Sequence, residues 1–264
     1  MDLTEKHYRE LFDLVYQASG IKLNSEKKAL VSAKIAKRLR VTKLNSAAEY
    51  VAWIKKDPIE FAEFIDTVTT NHTYFFRENV ACEYLVSYYR GKKEFQSREI
   101  KIWSAASSTG EEPYSVAVQF LAADLQFSMI ATDIAHTVLD VARKGIYHKN
   151  RATNIPIAFL HQFFQKGQNQ YTDYIRIKPH VQKLIRFEEF NLITDSPKRD
   201  YFDVIFCRNV MIYFDSVTIE RLVESMYHSL KKTGFFVIGQ SENLVRIKHR
   251  FTSVPKVSGL YEKK

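Results

Sequence analysis

The segment from Lys101 to Ser115 constrains the fold of this chain more than any other part of its sequence. An apolar run gives way to small residues from Ser104 to Thr109, and Gly110 then precedes two glutamates and a proline. Proline suits the first turn of a helix because its missing N–H would have no partner there. The segment therefore predicts a buried strand, a loop that a ligand can approach closely, and the start of a helix.

Glu111 and Glu112 in this first turn indicate the kind of ligand that the loop binds. A helix N-terminus normally favours phosphate, but two carboxylates would repel a pyrophosphate. A zwitterionic or cationic ligand fits better. Alternatively, each glutamate only stabilises the helix, since an acid in the first turn contributes about 0.3–1 kcal/mol to helix stability.

The composition is that of an ordinary globular protein, long enough at 264 residues for one large core and a smaller domain. Cys82 and Cys207 lie far apart without metal-ligand spacing, so we predict two buried apolar residues, no disulfide and no metal site. The chain has no long apolar run and no signal-peptide core near Met1. We therefore expect a cytoplasmic protein without membrane insertion.

The pattern of the elements divides the chain into three parts. Residues 1–67 show helical apolar spacing, residues 68–92 form a joint, and from residue 93 to 264 strands alternate with helices. This alternation is typical of a parallel α/β sheet. The predicted strands are Ile100–Ser104, Met129–Asp133, Leu184–Phe190, Val204–Cys207 and Phe235–Ile238, and the predicted helices of this part are Glu112–Ala123, His136–Arg143 and Val217–Leu230. An irregular stretch before Pro179 predicts a turn that leads into an antiparallel strand.

Asp133 is the second candidate ligand-binding residue. It ends a predicted strand 23 residues after Gly110, close to the spacing at which a carboxylate reaches ribose hydroxyls in dinucleotide-binding folds. A glycine-containing loop and one acid also occur in NAD enzymes, and Asp133 alternatively caps the helix that follows it. S-adenosylmethionine fits both observations, because it carries a sulfonium and an α-amino group beside an adenosine.

Four segments make the chain similar to the CheR family of chemotaxis receptor methyltransferases. They occur in the family order and span essentially the whole chain: Thr69–Glu78, Ser104–Ser115, Phe202–Asp215 and Gly239–Asn243. The resemblance implies a Rossmann-like class I methyltransferase domain of the α/β class, preceded by a small all-α domain. It also implies a small inserted antiparallel β-subdomain near residues 165–188.

The resemblance further implies the cofactor and its ligands. The cofactor is S-adenosyl-L-methionine, which leaves as S-adenosyl-L-homocysteine, and no metal is required. The positions that match the family's cofactor-binding residues are Asn71, Thr73, Arg77, Glu112, Asp133, Asn191, Leu192, Arg208 and Asn209. Glu112 is thereby separated from Glu111, for which a structural role is the alternative.

The implied reaction methylates the γ-carboxylate of receptor glutamates. A glutamate with a pKa near 4.3 is already ionised at neutral pH, so no general base is needed. Arg77 is the candidate to orient the acceptor carboxylate, because a guanidinium offers paired donors in a fixed geometry. Tyr213 is the second candidate catalytic residue, through its hydroxyl. The alternatives are an ion pair of Arg77 with Glu78 or Glu83, and a hydrophobic contact for Tyr213.

A basic stretch in the N-terminal part indicates the partner. The net charge is +9, and residues 22–43 hold eight basic residues against one acid. Val31, Ile35 and Leu39 recur with helical spacing and should face a core, which would leave Lys27, Lys34 and Arg38 together on another side. We expect this face to meet the acidic cytoplasmic helices of methyl-accepting chemotaxis receptors. The alternative is a solvated face without a partner.

Two further features limit the partners. The stretch Lys166–Tyr174 holds a single glycine, where relatives that bind a receptor C-terminal peptide have a glycine-richer loop, and this argues against such a tether. The basic pI also suits a nucleic-acid methyltransferase, but the chain has no Asn/Asp-Pro-Pro-Tyr/Phe motif. Two more interpretations stay open, namely an adaptor that binds S-adenosylmethionine without turnover and a methyltransferase with a non-chemoreceptor acceptor.

Overall fold

The computed structural model describes residues 3–23, 28–69 and 72–264, and its N-terminal part is a helical domain. The helices are α1 (Glu5–Ser19), α2 (Lys28–Thr42), α3 (Ala47–Ile54) and α4 (Pro58–Val68). Their apolar faces form one core, in which Val31, Ile35 and Leu39 of α2 are buried as the spacing predicts. The predicted helical character of this part is confirmed.

The sequence prediction for the basic face of α2 is wrong at Arg38. Its guanidinium pairs with Glu60 of α4, with Nε donating to Oε1 at 2.8 Å, and Glu63 lies 3.4 Å away. Tyr50 donates to the same Glu60 carboxylate at 2.9 Å. Helical spacing shows only which residues share a side of α2, whereas the acids of α4 determine which of them are neutralised. Lys27 lies outside the described residues, and Lys37 and Arg40 are exposed.

A joint segment and α5 (Val80–Arg90) lead from the helical domain into a seven-stranded sheet. Its strands, in spatial order, are β6 (Ile185–Glu189), β2 (Phe127–Asp133), β1 (Ile100–Ala105), β7 (Phe202–Cys207), β8 (Leu230–Val237), β10 (Leu260–Glu262) and β9 (Thr252–Ser253). The first five are mutually parallel. Strand β10 is antiparallel to both of its neighbours, β8 and β9. The five predicted strands are thus confirmed. The two C-terminal strands were not predicted, because runs of two and three residues carry no periodic signal.

Helices cover the sheet, as expected for parallel strands. They are α6 (Glu111–Ala122), α7 (His136–Lys144) and α10 (Ser216–Ser229), and each agrees with a predicted helix to within one residue at either end. The strand order changes direction at β1, which lies between β2 and β7, and ligands of such sheets bind at the carboxyl ends of the strands near this point. None of the helices in the described ranges has the length and apolar character that a membrane span requires.

A separate three-stranded antiparallel sheet is inserted between β2 and β6. It consists of β3 (Ile146–His148), β4 (Phe164–Lys166) and β5 (Tyr174–Ile177), with β5 in the centre, and includes α8 (Ile157–Phe163) and α9 (Pro179–Gln182). It therefore begins before the predicted boundary at residue 165. The three residues of β3 are too few to show the alternation of apolar and polar residues that marks a strand. Only their pairing with β5 identifies them as one. The predicted range also included residues 185–188, which belong to β6 of the large sheet.

Candidate active site

A deep cleft lies where the helical domain, the joint segment and the carboxyl ends of the strands meet. It holds about 1390 Å³ of empty space, counted to its open mouth. Its walls come from the α1–α2 connection, residues 72–79, the β1–α6 loop, the end of β2, residues 190–192 and the loop after β7. Its position at a domain junction is typical of a ligand site.

The loop after β1 forms the floor of this cleft through an unusual backbone. Ala106, Ser108 and Gly110 have φ values of 61°, 49° and 91°, in the left-handed region that glycine tolerates best. A Cβ on Gly110 would lie 2.8 Å from the Cβ of Ala142, so α7 packs where only glycine fits. The Ser107 N–H donates to the Thr132 carbonyl at 2.8 Å, which fastens the loop to the end of β2.

Glu112 and Asp133 both line the cleft, as the sequence predicts, and Glu78 is a third carboxylate there. Glu112 accepts from the Ser104 hydroxyl at 2.8 Å, and Asp133 accepts from the N–H groups of Ser108 and Ala135 at 2.8 and 3.0 Å. Burial raises the pKa of both carboxyls, and these hydrogen bonds partly offset the effect. Asp133 is not the cap of α7, because Ala135 holds that position.

Glu111 takes a different position from its neighbour. Its side chain is fully buried and does not line the cleft. One carboxylate oxygen accepts from the Thr109 hydroxyl at 2.6 Å, and the other pairs with Arg151 of the inserted subdomain. Glu111 thus joins the β1–α6 loop to the small sheet, which is a structural arrangement.

Arg208 connects three of the cleft walls. Its Nη1 donates to Glu112 at 3.1 Å, and its Nη2 donates to the Arg77 carbonyl at 2.6 Å and to the Glu78 carboxylate at 3.1 Å. Only 7% of its side chain is exposed. Burial alone would raise the pKa of Glu78, but the Gln240 N–H and Arg208 together hold it below its ordinary value. The network anchors the joint segment against β7 and α6.

Arg77 and Tyr213 both line the cleft. The Arg77 Nη1 donates to the His72 carbonyl at 3.1 Å, its Nε lies 3.6 Å from Glu78, and its Nη2 has no partner within the described residues. Part of the guanidinium is thus held while one edge stays available. The Tyr213 hydroxyl likewise has no hydrogen-bond partner in the described part of the chain, although its carbonyl accepts from the Lys22 N–H at 2.8 Å.

The cleft brings together every predicted site residue that the structure describes. Thr73, Arg77, Glu112, Asp133, Asn191, Leu192, Arg208, Asn209 and Tyr213 all line it, and Asn71 lies outside the described residues. Two of these side chains are turned toward protein groups. Nη1 and Nη2 of Arg208 donate to the groups described above. The Asn191 amide donates to the Ala18 carbonyl at 2.5 Å and accepts from the Ile193 N–H. Their functional roles stay predictions.

Two acids organise the cleft in ways that the sequence did not predict, although Glu78 was considered as an ion-pair partner of Arg77 and lies 3.6 Å from it. Glu78 binds Arg208, and Glu242 accepts from the N–H groups of Asn209, Met211 and Gly239 at 2.7–2.9 Å. Asn209 has φ 58°, so this strained turn needs such support. Both acids lie inside the four segments that carry the family resemblance, and an acid in or next to the last position of such a segment was the available signal.

A parallel sheet with one carboxylate at the end of β2 and another in the first turn of α6, closed by a helical domain, is the architecture of an enzyme that binds a nucleoside cofactor. Residues 71–259 match the family model described as "CheR methyltransferase, SAM binding domain", and residues 6–69 match "CheR methyltransferase, all-alpha domain". The chain belongs to the CheR methyltransferase family, and it is an S-adenosylmethionine-dependent methyltransferase.

Curated relatives are similar over nearly their whole length. The chemotaxis protein methyltransferase 2 of Pseudomonas aeruginosa is 37% identical, with 95% of this chain and 91% of that protein covered. The chemotaxis protein methyltransferases of Borreliella burgdorferi and Escherichia coli are each 34% identical, covering 92% and 95% of this chain and 90% and 88% of those proteins.

Proposed function

We propose that this protein transfers a methyl group from S-adenosylmethionine to the γ-carboxylate of glutamates on methyl-accepting chemotaxis receptors. The products are a glutamate methyl ester and S-adenosylhomocysteine. The observation that carries the proposal is a cleft lined by the carboxylates of Glu112 and Asp133 and by Arg77, whose Nη2 has no partner among the described residues. The names of the relatives, which are chemotaxis protein methyltransferases, support this acceptor.

The residues of the cleft fit the cofactor. The Glu112 carboxylate matches the α-amino group, the Asp133 carboxylate matches ribose hydroxyls, and neither would suit a pyrophosphate. Thr73, Asn191, Leu192 and Asn209 complete this proposed site. When bound, S-adenosylmethionine supplies a methyl group activated by its sulfonium.

Arg208 supports the cofactor site indirectly. Its Nη1 and Nη2 both donate to protein groups, so we assign it the positioning of Glu112 and of the joint segment. The same contacts hold the backbone of Arg77, whose guanidinium we assign to the acceptor. Cofactor and acceptor sites therefore share one buried support.

The acceptor needs orientation but no activation. Its carboxylate is ionised at neutral pH, so the protein has no proton to remove. Alignment of the reacting atoms supplies up to about 7–11 kcal/mol in favourable cases. The Arg77 Nη2 and the Tyr213 hydroxyl, which have no partner among the residues that the structure describes, are the groups that we propose for this orientation, since both are hydrogen-bond donors.

The exposed cations of α2 suit an acidic partner. Lys37 and Arg40 are exposed and have no ion-pair partner among the described residues, unlike Arg38. We propose that residues 1–67 form a receptor-facing domain, that residues 68–92 form the joint, and that residues 93–264 form the catalytic domain. Steering by such charges raises association rates more than it raises affinity.

We propose that a receptor C-terminal peptide tether is not used. The turn between β4 and β5 is closed by the Gly167 N–H, which donates to the Tyr174 carbonyl at 2.9 Å. A Cβ on Gly167 would lie 1.9 Å from the Tyr171 carbonyl oxygen, so the loop already packs tightly on itself. Little free backbone is left there for strand addition.

The test is transfer of labelled methyl from S-adenosylmethionine to the cytoplasmic domain of a chemoreceptor, followed by alkali treatment. Base-labile label released as volatile methanol is the expected result, because carboxyl methyl esters hydrolyse in alkali. A receptor domain whose acceptor glutamates are replaced by alanine serves as the control. Absence of label, combined with calorimetric binding of S-adenosylhomocysteine, would refute the receptor assignment and favour another acceptor or a sensor role.

A further inference from the structure

Three exposed apolar side chains lie on the loops that follow β7 and β8 and at the start of α10. Ile212, Val217 and Val245 are 54%, 56% and 86% exposed. Ile212 belongs to the same short turn as Tyr213, which lines the cleft, and Val217 is in the first turn of α10. Contact of such side chains with water is unfavourable. Three of them beside the mouth of one cleft indicate a surface that a partner covers.

Hydrogen bonds join these segments into one surface. The Glu242 carboxylate accepts from the N–H groups of Met211 and Gly239 at 2.8 and 2.7 Å, so the loop after β8 is fixed to the turn after β7. The Lys248 N–H donates to Oε1 of Glu220 at 3.4 Å, which connects the same loop to α10. The turn after β7, the start of α10 and the loop after β8 therefore form a continuous rim on one side of the cleft.

The same rim carries three cations. Arg221, Arg246 and Lys248 are exposed, and none of them forms an ion pair with a residue that the structure describes. Arg221 is four residues after Val217, so the two share one side of α10. Asp215, an acid of the same stretch, is engaged as the N-cap of this helix. The rim patch thus consists of Ile212, Val217, Arg221, Val245, Arg246 and Lys248.

The position and charge of the rim patch indicate its occupant. A glutamate side chain is short, so a glutamate whose carboxylate reaches Arg77 and Tyr213 in the cleft brings its own backbone against the rim. The residues that flank this glutamate then lie over the rim patch. Unpaired cations favour an acidic segment, and the apolar side chains between them favour one that also has an apolar face.

We propose that the rim patch binds the acceptor protein through the residues that flank the methylated glutamate, and that this flanking segment is acidic and amphipathic. The inference rests on the proposed function, and it adds a contact surface on the catalytic domain to the exposed cations of α2. The rim patch contributes to the choice of glutamate, because a glutamate with apolar and acidic neighbours is held at the cleft longer than one without them.

The test is steady-state methylation of a chemoreceptor cytoplasmic domain by the full chain with Val245→Glu or Arg246→Glu. Val245→Glu should raise the KM for the acceptor about 5- to 30-fold, because an apolar contact is replaced by a charge that repels the acidic segment. Arg246→Glu should raise it about 3- to 10-fold at low salt and less at high salt. Neither side chain lines the cleft, so kcat and the Kd of S-adenosylhomocysteine should stay unchanged.

Ile157→Glu and Lys232→Glu are the matched controls. Ile157 is 72% exposed in the inserted subdomain, and Lys232 is an exposed cation on β8. Both controls should keep the wild-type KM. An unchanged KM in Val245→Glu and Arg246→Glu, or an equal rise in the controls, would overturn the proposal. Loss of binding to anionic phospholipid vesicles with an unchanged KM would also overturn it and assign the rim patch to a membrane. Failure of the wild type to label the receptor domain would instead refute the proposed function.

Discussion

Replacement of Arg208 by methionine tests whether one buried cation supports the whole cleft. Arg208 pairs with Glu112 and Glu78, whose side chains are 15% and 16% exposed, and it also holds two carbonyls of the joint segment. Removal leaves two desolvated carboxylates close together without a counter-charge. Loss of one partner from such a buried pair costs about 3–5 kcal/mol of unfolding free energy. For a chain of this size, that corresponds to a fall of roughly 6–20 °C in Tm.

The assay is urea and thermal unfolding of the ligand-free protein, extended to a double-mutant cycle with Glu112→Gln. The second substitution removes one uncompensated carboxylate, so it should recover part of the stability that Arg208→Met loses. The control is Arg186→Met, because Arg186 is 62% exposed and pairs with Glu188 at the surface, where an ion pair contributes at most about 1 kcal/mol. A cost below about 1 kcal/mol for Arg208→Met, or effects that add within about 0.5 kcal/mol, would refute the reasoning.

Three further predictions concern the cofactor, the acceptor and the partner. Binding of S-adenosylhomocysteine should weaken as the pH falls through the pKa of Glu112, which burial raises above its ordinary value of 4.5, because the neutral carboxyl loses its attraction for the α-amino group. Calorimetry across pH should show this step reduced in Glu112→Gln, and an identical pH profile would contradict the assignment. The same raised pKa means that the Glu112 contribution to stability is greatest below about pH 4.5 and declines as the pH rises through the folded value. Arg77→Ala should lower kcat strongly while the Kd of the cofactor changes less, and equal losses of both would show that Arg77 mainly binds the cofactor. Lys37→Glu should lower kcat/KM for an acidic receptor domain, with a smaller effect at high salt. An equal loss in Lys232→Glu, which reverses an exposed charge outside α2, would argue against a docking role for α2.

The parts of the cleft that come from short, continuous stretches of the chain could be predicted from the sequence. The loop after β1 was predictable because small residues, Gly110 and the first turn of α6 are adjacent in the chain. The ligand-binding position of Asp133 was predictable because Asp133 ends a strand 23 residues after Gly110, an interval typical of dinucleotide-binding folds. The separation of Glu112 from Glu111 needed the family resemblance, and the structure supplies its physical basis, since only Glu112 lines the cleft.

Contacts between distant segments were beyond this reasoning. Asn191 donates to Ala18, 173 residues earlier, and Arg208 reaches Glu78 across 130 residues. No periodicity relates such positions, so the motifs could place Arg208 near the cofactor but could not show that its donors are used by the protein. The Arg38–Glu60 pair was missed for the same reason, because it depends on how α2 packs against α4.

Local sequence patterns were enough to establish the five parallel strands, the helices α6, α7 and α10, the loop that a ligand can approach and the carboxylates near the carboxyl ends of β1 and β2, since these ends meet at one edge of a parallel sheet. Which charged groups stay available and which neutralise each other depended on the folded chain. Folding closed the Arg208 network and turned Arg38 inward. The physical reason is that hydrogen bonding and desolvation depend on which groups meet in space, and those groups come from segments that are far apart in the chain.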